Sequence, residues 1–542
     1  MPRRFLNASA VLFFLLVGPG LWASCYGGTA AITDLPNPAD DDRPPGSPPE
    51  LPRQTVALPG AATGPLRLVV NSDDLQDAVN SARPGDVLAL KAGVVFKGSL
   101  TLPKKSEDGW ITIRTNVPDG TFPGPGTRVS PSDARLMPVI ESDAESAIQA
   151  DAGAHHYRFI GIEIRPRAGD YVKNLIMLGA GANSVDDLPH HLVFERCYVH
   201  GDPQLGGRRG IALNARDTAI IDSYFSDFKG EGEDTQAISG WNGTGPFAIV
   251  NNYLQGAGEN IIFGGADPDI NNLVPSDIVI RDNYITKPVA WRNSQWTIKN
   301  LFELKNARRV LVEHNVMEYN WPQAQNGYAI LITPRNQDGN SPWSMVRDVT
   351  FRKNLIRHVS SGVNIMGDDD LHPSQRTKRI LLRDNVFEDV SDANWGGIGN
   401  LVQVFRGAAD VTIDHNTAFE TYAVLVAGGE PNQNFTFTNN IVPNAVYGVS
   451  GDNYYGDAAR ALSAYFPGAV FRANVIQGGY GPDYPAGNFF PASMSDIGFE
   501  NYAAGDYRLQ SDSPYKRAGT DGKDIGAEID GSVPSPRRRA VH

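Results

Sequence analysis

Three residues stand together as a chemical group before any fold is assumed. Glu303 and Lys305 interrupt LFELKNARRVLVEHNVMEY, an otherwise strand-forming run at 301–319, and Arg335 closes a similar run, YAILITPR. Alternation along a strand turns Phe302 and Leu304 to one side, and Glu303 and Lys305 to the other. Cleavage of a uronate polysaccharide by β-elimination needs a base, a proton donor and something to neutralise the sugar carboxylate. A lysine and an arginine ending successive strands could meet that need. The plainer alternative is a set of exposed ion pairs with Glu303 and Asp267, worth little to stability.

A second group is acidic. GEGEDTQAISGW and GAGENIIFGGADPD hold equivalent places in neighbouring repeats, which draws Asp234, Glu259, Asp267 and Asp269 together. Clustered carboxylates suit Ca2+, serve as acid and base in glycoside hydrolysis, or simply keep Gly-rich turns soluble. Trp241, Trp321 and Trp343, like Trp291, Trp296 and Trp395, fall in or beside long loops. Indoles there offer flat faces to sugar rings or pack the loops down. The pairs His155–His156 and His190–His191 have no partner at metal-ligand spacing in the sequence and read as turn residues.

The elements that must position these groups come from one repeated phrase. VLVEHNVMEY has counterparts in which a short strand, a small polar break and another strand recur. The breaks fall at Cys197, Ser223, Asn252, Asn283, Asn315, Asn354, Asn385, Asn416, Asn440 and Asn474, spaced 24 to 39 residues apart. That period belongs to solenoids. A sharp corner favours a residue with positive φ, which Gly and Asn tolerate best, and amides stacked coil on coil can bond to one another. Cys197 and Ser223 therefore read as small corner residues, and Cys197 as inert packing. An earlier copy, HHYRFIGIEI, puts Gly161 at the corner. Residues 72–86, SDDLQDAVNSARPGD, predict a capping helix started by Ser72 or Asp73. NYYGDAARALSAYF predicts a second helix near the other end.

Outside the repeats the chain changes character. Residues 1–24 carry a basic start and a short apolar run, the pattern of an export signal. Cleavage before Cys25 would let that thiol carry lipid and anchor the protein to a membrane; a freely secreted protein is the alternative. Residues 25–65, rich in Pro and Asp, read as a disordered tether, and residues 531–542 as a disordered basic tail. With two cysteines in 542 residues, a disulfide framework is excluded. A net charge of −13 argues against a nucleic-acid partner.

Taken together, the asparagine corners, the capping helix, PGDVLALKAGVVFKGSLTL and GDYRLQSDSPYKRAG resemble the pectate-lyase-like superfamily over residues 66–530. The resemblance implies an all-β fold: a single-stranded, right-handed parallel β-helix with asparagine-ladder corners and long insertions on one side. In that superfamily substrate lies across one sheet. Counting back from the corners places Asp267, Lys305, Arg335, Asp368 and Arg406 in one column, with coils about 4.8 Å apart. ELKNARRVLVEHN followed by GYAILITPR is similar to the alginate lyase and chondroitinase B family. That likeness implies Lys305 as base and Arg335 as acid, with Glu303 holding Lys305 or helping a cation.

The resulting expectation is an exported, monomeric lyase on a uronate-containing glycan. Arg406, Trp241, Trp321 and Trp343 would bind substrate, and Asp234, Glu259 and Asp267 would hold Ca2+. A non-catalytic glycan-binding or structural β-helix protein and a glycoside hydrolase built on the acidic turns remain alternatives. Asp368, Asp369 and Asp370 with His372 faintly resemble polygalacturonases. No phosphate-cradling glycine motif or paired-cysteine motif is present, so neither a nucleotide nor zinc is expected.

Overall fold

The computed structural model describes residues 43–61, 64–143 and 145–529. The export signal, Cys25 and the basic tail lie outside the described residues. Three long parallel sheets of 14, 13 and 12 strands run side by side, and beyond the first pair of the 14-stranded sheet neighbouring strands are three apart in chain order. Each turn of chain thus lays one strand on each sheet, which is a parallel β-helix. Sheet 1 runs from Leu66–Val69 to Val470–Arg472, sheet 2 from Val95–Lys97 to Val475–Gln477, and sheet 3 from Leu100–Leu102 to Gly448–Gly451.

Inward-facing apolar residues stack on their counterparts one coil away. Ile261, Phe302, Ile330 and Val363 are in register across sheet 3 and fully buried, and Phe159 lies 5.1 Å from Phe194 with rings nearly parallel. A solenoid exposes sheet edges at both ends, where unpaired backbone invites association. The expected capping helix, Asp74–Ser81, buries Leu75, Ala78 and Val79 at one end, with Asp73 as its N-cap. The second expected helix, Ala458–Tyr465, packs Ala461, Leu462 and Tyr465 against the last strands of sheet 3.

The corners between sheets 1 and 2 differ from expectation in one detail. The residue with positive φ is the one before each asparagine: Asn251, Asp282, His314, Lys353, Asp384, His415 and Asn439 lie between 52° and 58° or at 60°. The asparagine itself turns inward and makes the ladder. Asn315 Oδ1 accepts from the Asn283 amide N–H and Nδ2 at 2.9 and 3.0 Å, while its own Nδ2 donates to Asn354 Oδ1 and to Ile280 O. The ladder runs from Ser223 through Asn474 to Asn488. Gly161, with φ 67°, is the strained member of its corner. Cys197 continues the ladder through its N–H to Ser223 Oγ, and burial pushes its thiol up to about 12.

The part of the expected tether that is described does not hang free. Residues 43–60 form a strap along sheet 1. The amides of Gly46, Glu50 and Arg53 donate to Asp410, Asp348 and Asp277, and Arg158 donates to Gly60 O. Those three aspartates occupy one column of the sheet on every second strand, with Arg309 and Arg379 on the strands between them.

Candidate active site

Sheet 3 carries the candidate chemistry on its outer face. Ile261, Phe263, Phe302 and Leu304 fill the core, so Ile262, Glu303 and Lys305 point away from it. The first inward residue of these strands is Ala237, Asn260, Leu301 or Ala329. Three of these are core residues, and Asn260 Nδ2 reaches inward to Leu254 O and Thr286 O. The residues just before them, Gln236, Glu259, Asn300 and Tyr328, therefore join the outer row. Register continues that row back to Arg209.

These residues line up as a polar string across five coils, bonded in three groups. Arg209 donates to Asn174 Oδ1 and Gln236 Oε1, and Gln236 donates to Glu259 Oε2 at 2.7 Å. Lys299 Nζ lies 2.5 Å from Asp234 Oδ2 and 3.7 Å from Glu259 Oε1. Asn300 donates to Glu303 Oε2. Lys305 Nζ donates to Thr333 Oγ1 and sits 2.9 Å from Glu303 Oε1, without the alignment of a hydrogen bond. Tyr328 continues to Gln403 and Asn400, and Gln403 to Asn364.

The two glutamates are almost fully buried and are driven apart in protonation. Burial, and then the neighbouring charges of Glu303 and Asp234, push Glu259 up to about 8. Burial would raise Glu303 as well, but Lys305, Lys299 and the Asn300 amide together outweigh it and hold Glu303 below the usual carboxylate range. For Lys299, burial would lower its value, but Glu259 and Asp234 raise it. Beneath them Lys287 is fully buried, its Nζ donating to Gly256 O, Ala257 O, Gly258 O and Asn260 Oδ1 at 2.7 to 3.1 Å. Burial lowers it to about 7, whereas four oxygen acceptors around one nitrogen favour its ammonium form.

Several buried polar atoms in this face have no hydrogen-bond partner: Asn300 Oδ1, Glu303 Oε1, Ser361 Oγ and Asn400 Oδ1. In native proteins such atoms are uncommon and costly, and here they lie on three strands of one sheet within four consecutive coils.

The remaining expected residues lie elsewhere. Lys305 aligns with Thr333 and not with Arg335, because Leu304 pairs with Ile332. Arg335 stands three residues past the strand end at Ile332, bound to Asp369 and Asp370 at 2.7 and 2.9 Å. Arg406 is held by Asp368 in the same loop cluster at 2.6 Å. The expected single column is therefore corrected: register lines up Phe263, Leu304, Ile332, Ile365 and Val404, and Asp267, Lys305, Arg335, Asp368 and Arg406 follow that row at unequal distances along the chain.

Asp267 accepts from the amides of Asp338 and Asn340 and from Ser341 Oγ, pinning that loop. It does not join Asp234 and Glu259, whose shared Lys299 already sits where a divalent ion would have to bind. The expected Ca2+ set is thus divided.

Trp241 stands beside the string, with the Arg209 guanidinium 5.1 Å from its ring. Trp321 is buried with Trp291 and Ile298, its Nε1 unpartnered. Trp343 is pinned through Nε1 to Leu273 O. Arg209, Gln236, Lys299, Asn300 and Tyr328 were missed by the sequence reading. Aligning GENIIF with KNLFEL would have found the pairing of Glu259 with Asn300 and so placed Lys299 beside it.

A cavity of about 1270 Å³ lies elsewhere, between the strap and the outer side of sheet 1. Its charged walls are already matched, as in Arg158 with Glu195 at 2.6 Å.

No family model matches the chain, and no curated protein sequence matches it. Among solved structures, the catalytic unit of a thermostable GH87 α-1,3-glucanase from Streptomyces thermodiastaticus aligns at 12% identity. It covers 80% of this chain and 69% of its own, with a TM-score of 0.48. The PL6 family alginate lyase AlyGC aligns at 13% identity over 86% of this chain and 57% of its own, with a TM-score of 0.46. A mannuronic acid-specific polysaccharide family 6 lyase from human gut microbiota aligns at 12% identity, with coverages of 80% and 87% and a TM-score of 0.46. The parallel β-helix itself rests on the sheet order described above.

Proposed function

We propose that the protein is a polysaccharide-cleaving enzyme that binds a glycan across the outer face of sheet 3 and cuts it with Glu259 and Glu303. The observation that carries this reading is the pair of buried glutamates on neighbouring coils, whose surroundings push Glu259 up and hold Glu303 down. Two carboxyl groups whose surroundings split their titration are the acid and base assignments of a glycosidase. Glu259, protonated at neutral pH, donates its proton to the leaving glycosidic oxygen. Glu303 stays ionised and acts on the anomeric side, directly or through water. Arg209 and Trp241 flank the string and bind sugar, and the unpartnered atoms of Asn300, Ser361 and Asn400 receive hydroxyl groups.

A second reading, β-elimination, is favoured by one observation: Lys305 Nζ is oriented on the same face by Glu303 and Thr333. Lys305 would then remove the proton beside a uronate carboxylate and Glu259 would protonate the leaving oxygen, with no part for Arg335. One assay separates the two. A panel of neutral and uronate polysaccharides is followed both for new reducing ends and for the ultraviolet band of unsaturated sugars. Reducing ends without the band, lost in Glu259→Gln, support hydrolysis. A band lost in Lys305→Ala supports elimination. Neither signal on any polymer, with glycan retained on an affinity gel, would replace both readings with a binding protein.

A further inference from the structure

The double histidines read as turn residues in the sequence meet in space. His155 pairs in register with His190 across sheet 1, so a separation of 35 residues becomes one coil. The rings of His155 and His190 stack at 5.0 Å, and those of His156 and His191 at 4.4 Å. Neighbours on a strand normally point to opposite sides. Here φ is 61° at His156 and 53° at His191, which brings each adjacent pair to the same side. The Nδ1 atoms lie 2.8 Å apart in the first pair and 2.7 Å apart in the second. One ligating atom from each of His156, His190 and His191 falls within 4.8 Å of the others.

Other coils show what this column is normally used for. Further along it Arg309 binds Asp277 and Arg379 binds Asp348, each pair joining one coil to the next. The two histidine coils have no such charge pairing within the column, only imidazoles. Arg216 follows His190 in the neighbouring row, and Asp108 approaches His155 Nδ1 at 3.9 Å from the solvent side.

We propose that His156, His190 and His191 bind one divalent cation of the borderline class that prefers imidazole, with Zn2+ as the best fit, water or Asp108 completing the set. Ligand nitrogens around a tetrahedral zinc are about 3.3 Å apart, and the three here lie within 4.8 Å of one another, so modest ring rotations convert the present cluster into a site. The ion would tie the two coils together where the rest of the column uses Arg–Asp pairs. This site lies on a different sheet from the glutamates and does not depend on the proposed function.

The test uses the untagged full-length chain, stripped with a chelator and titrated with Zn2+ alone by calorimetry. Co2+ then serves as a visible probe of tetrahedral coordination. The expected result is one ion per chain, a micromolar or tighter Kd and a raised Tm. His156→Asn with His191→Asn keeps residues that tolerate positive φ, and His190→Gln leaves both of those positions untouched. Either variant should lose about a hundredfold or more in affinity while keeping the wild-type circular dichroism spectrum. Zn2+ heats and Co2+ spectra that are the same in wild type and in both variants would overturn the proposal, as would a wild type that binds no Zn2+.

Discussion

Two stacks of polar side chains run through the same coils, one inside the corner of sheets 1 and 2 and one outside sheet 3. In the corner stack nearly every rung is the same residue, and each amide meets the next at 2.8 to 3.1 Å. In the outer string no two adjacent rungs of the row from Arg209 to Tyr328 are alike, and oxygens of Asn300, Ser361 and Asn400 are left over. Both are buried, so both carry the same desolvation cost. A stack that satisfies itself stabilises the solenoid; one that leaves atoms unsatisfied retains bonding capacity for a ligand.

That contrast can be broken from either side. Glu303→Gln or Glu259→Gln should reduce glycan cleavage by about a thousandfold, within the usual range for acid–base groups, while the urea midpoint holds or rises. A variant that instead unfolds with activity per folded molecule intact would make the outer string a second structural ladder. Asn315→Leu keeps the branched shape but takes the acceptor from both Asn283 donors and the side-chain donor from Ile280 O, leaving Asn354 Oδ1 with the residue-315 N–H alone. It should cost about 3 kcal/mol in urea denaturation, with KM unchanged.

The protonated Glu259 gives the third test its sign. Its folded value, about 8, lies above the ordinary 4.5, so the folded protein holds a proton that the unfolded chain has lost. Stability from this group is complete below about pH 4.5 and falls away as pH rises towards 8. Wild type should lose a few degrees of Tm across that window relative to Glu259→Gln. Equal slopes in the two proteins would leave Glu259 an ordinary carboxylate. The smallest effect belongs to Cys197→Ser, which only substitutes one corner residue for the kind already at Ser223. Stability should change by about 1 kcal/mol or less, with activity untouched.

The corner stack was legible in the sequence because one residue type repeats at one place in every coil. Even there the strain fell one residue earlier than the asparagine, since the amide must point inward to bond and its neighbour takes the positive φ. The outer string was only half legible. Alternation placed Glu303 and Lys305 outside, and equivalent loops placed Asp234 near Glu259. What escaped was register across insertions: it put Thr333 rather than Arg335 beside Lys305, and it brought Lys299 between carboxylates 40 residues apart in one case and 65 in the other. The histidine pairs were noticed as a repeat, yet only a closed coil shows that repetition along the chain means stacking in space.

The strap has a consequence for how the chain is made. It runs against the order of the coils: Gly60 meets the coil of Arg158, Arg53 that of Asp277, Glu50 that of Asp348, and Gly46 that of Asp410, 364 residues further on. As the chain grows, Gly60 finds its partner first and Gly46 last. Each newly wound coil gives the early segment one more foothold. The strap therefore zips backwards toward its own beginning, and how far it has docked records how much of the solenoid has been wound.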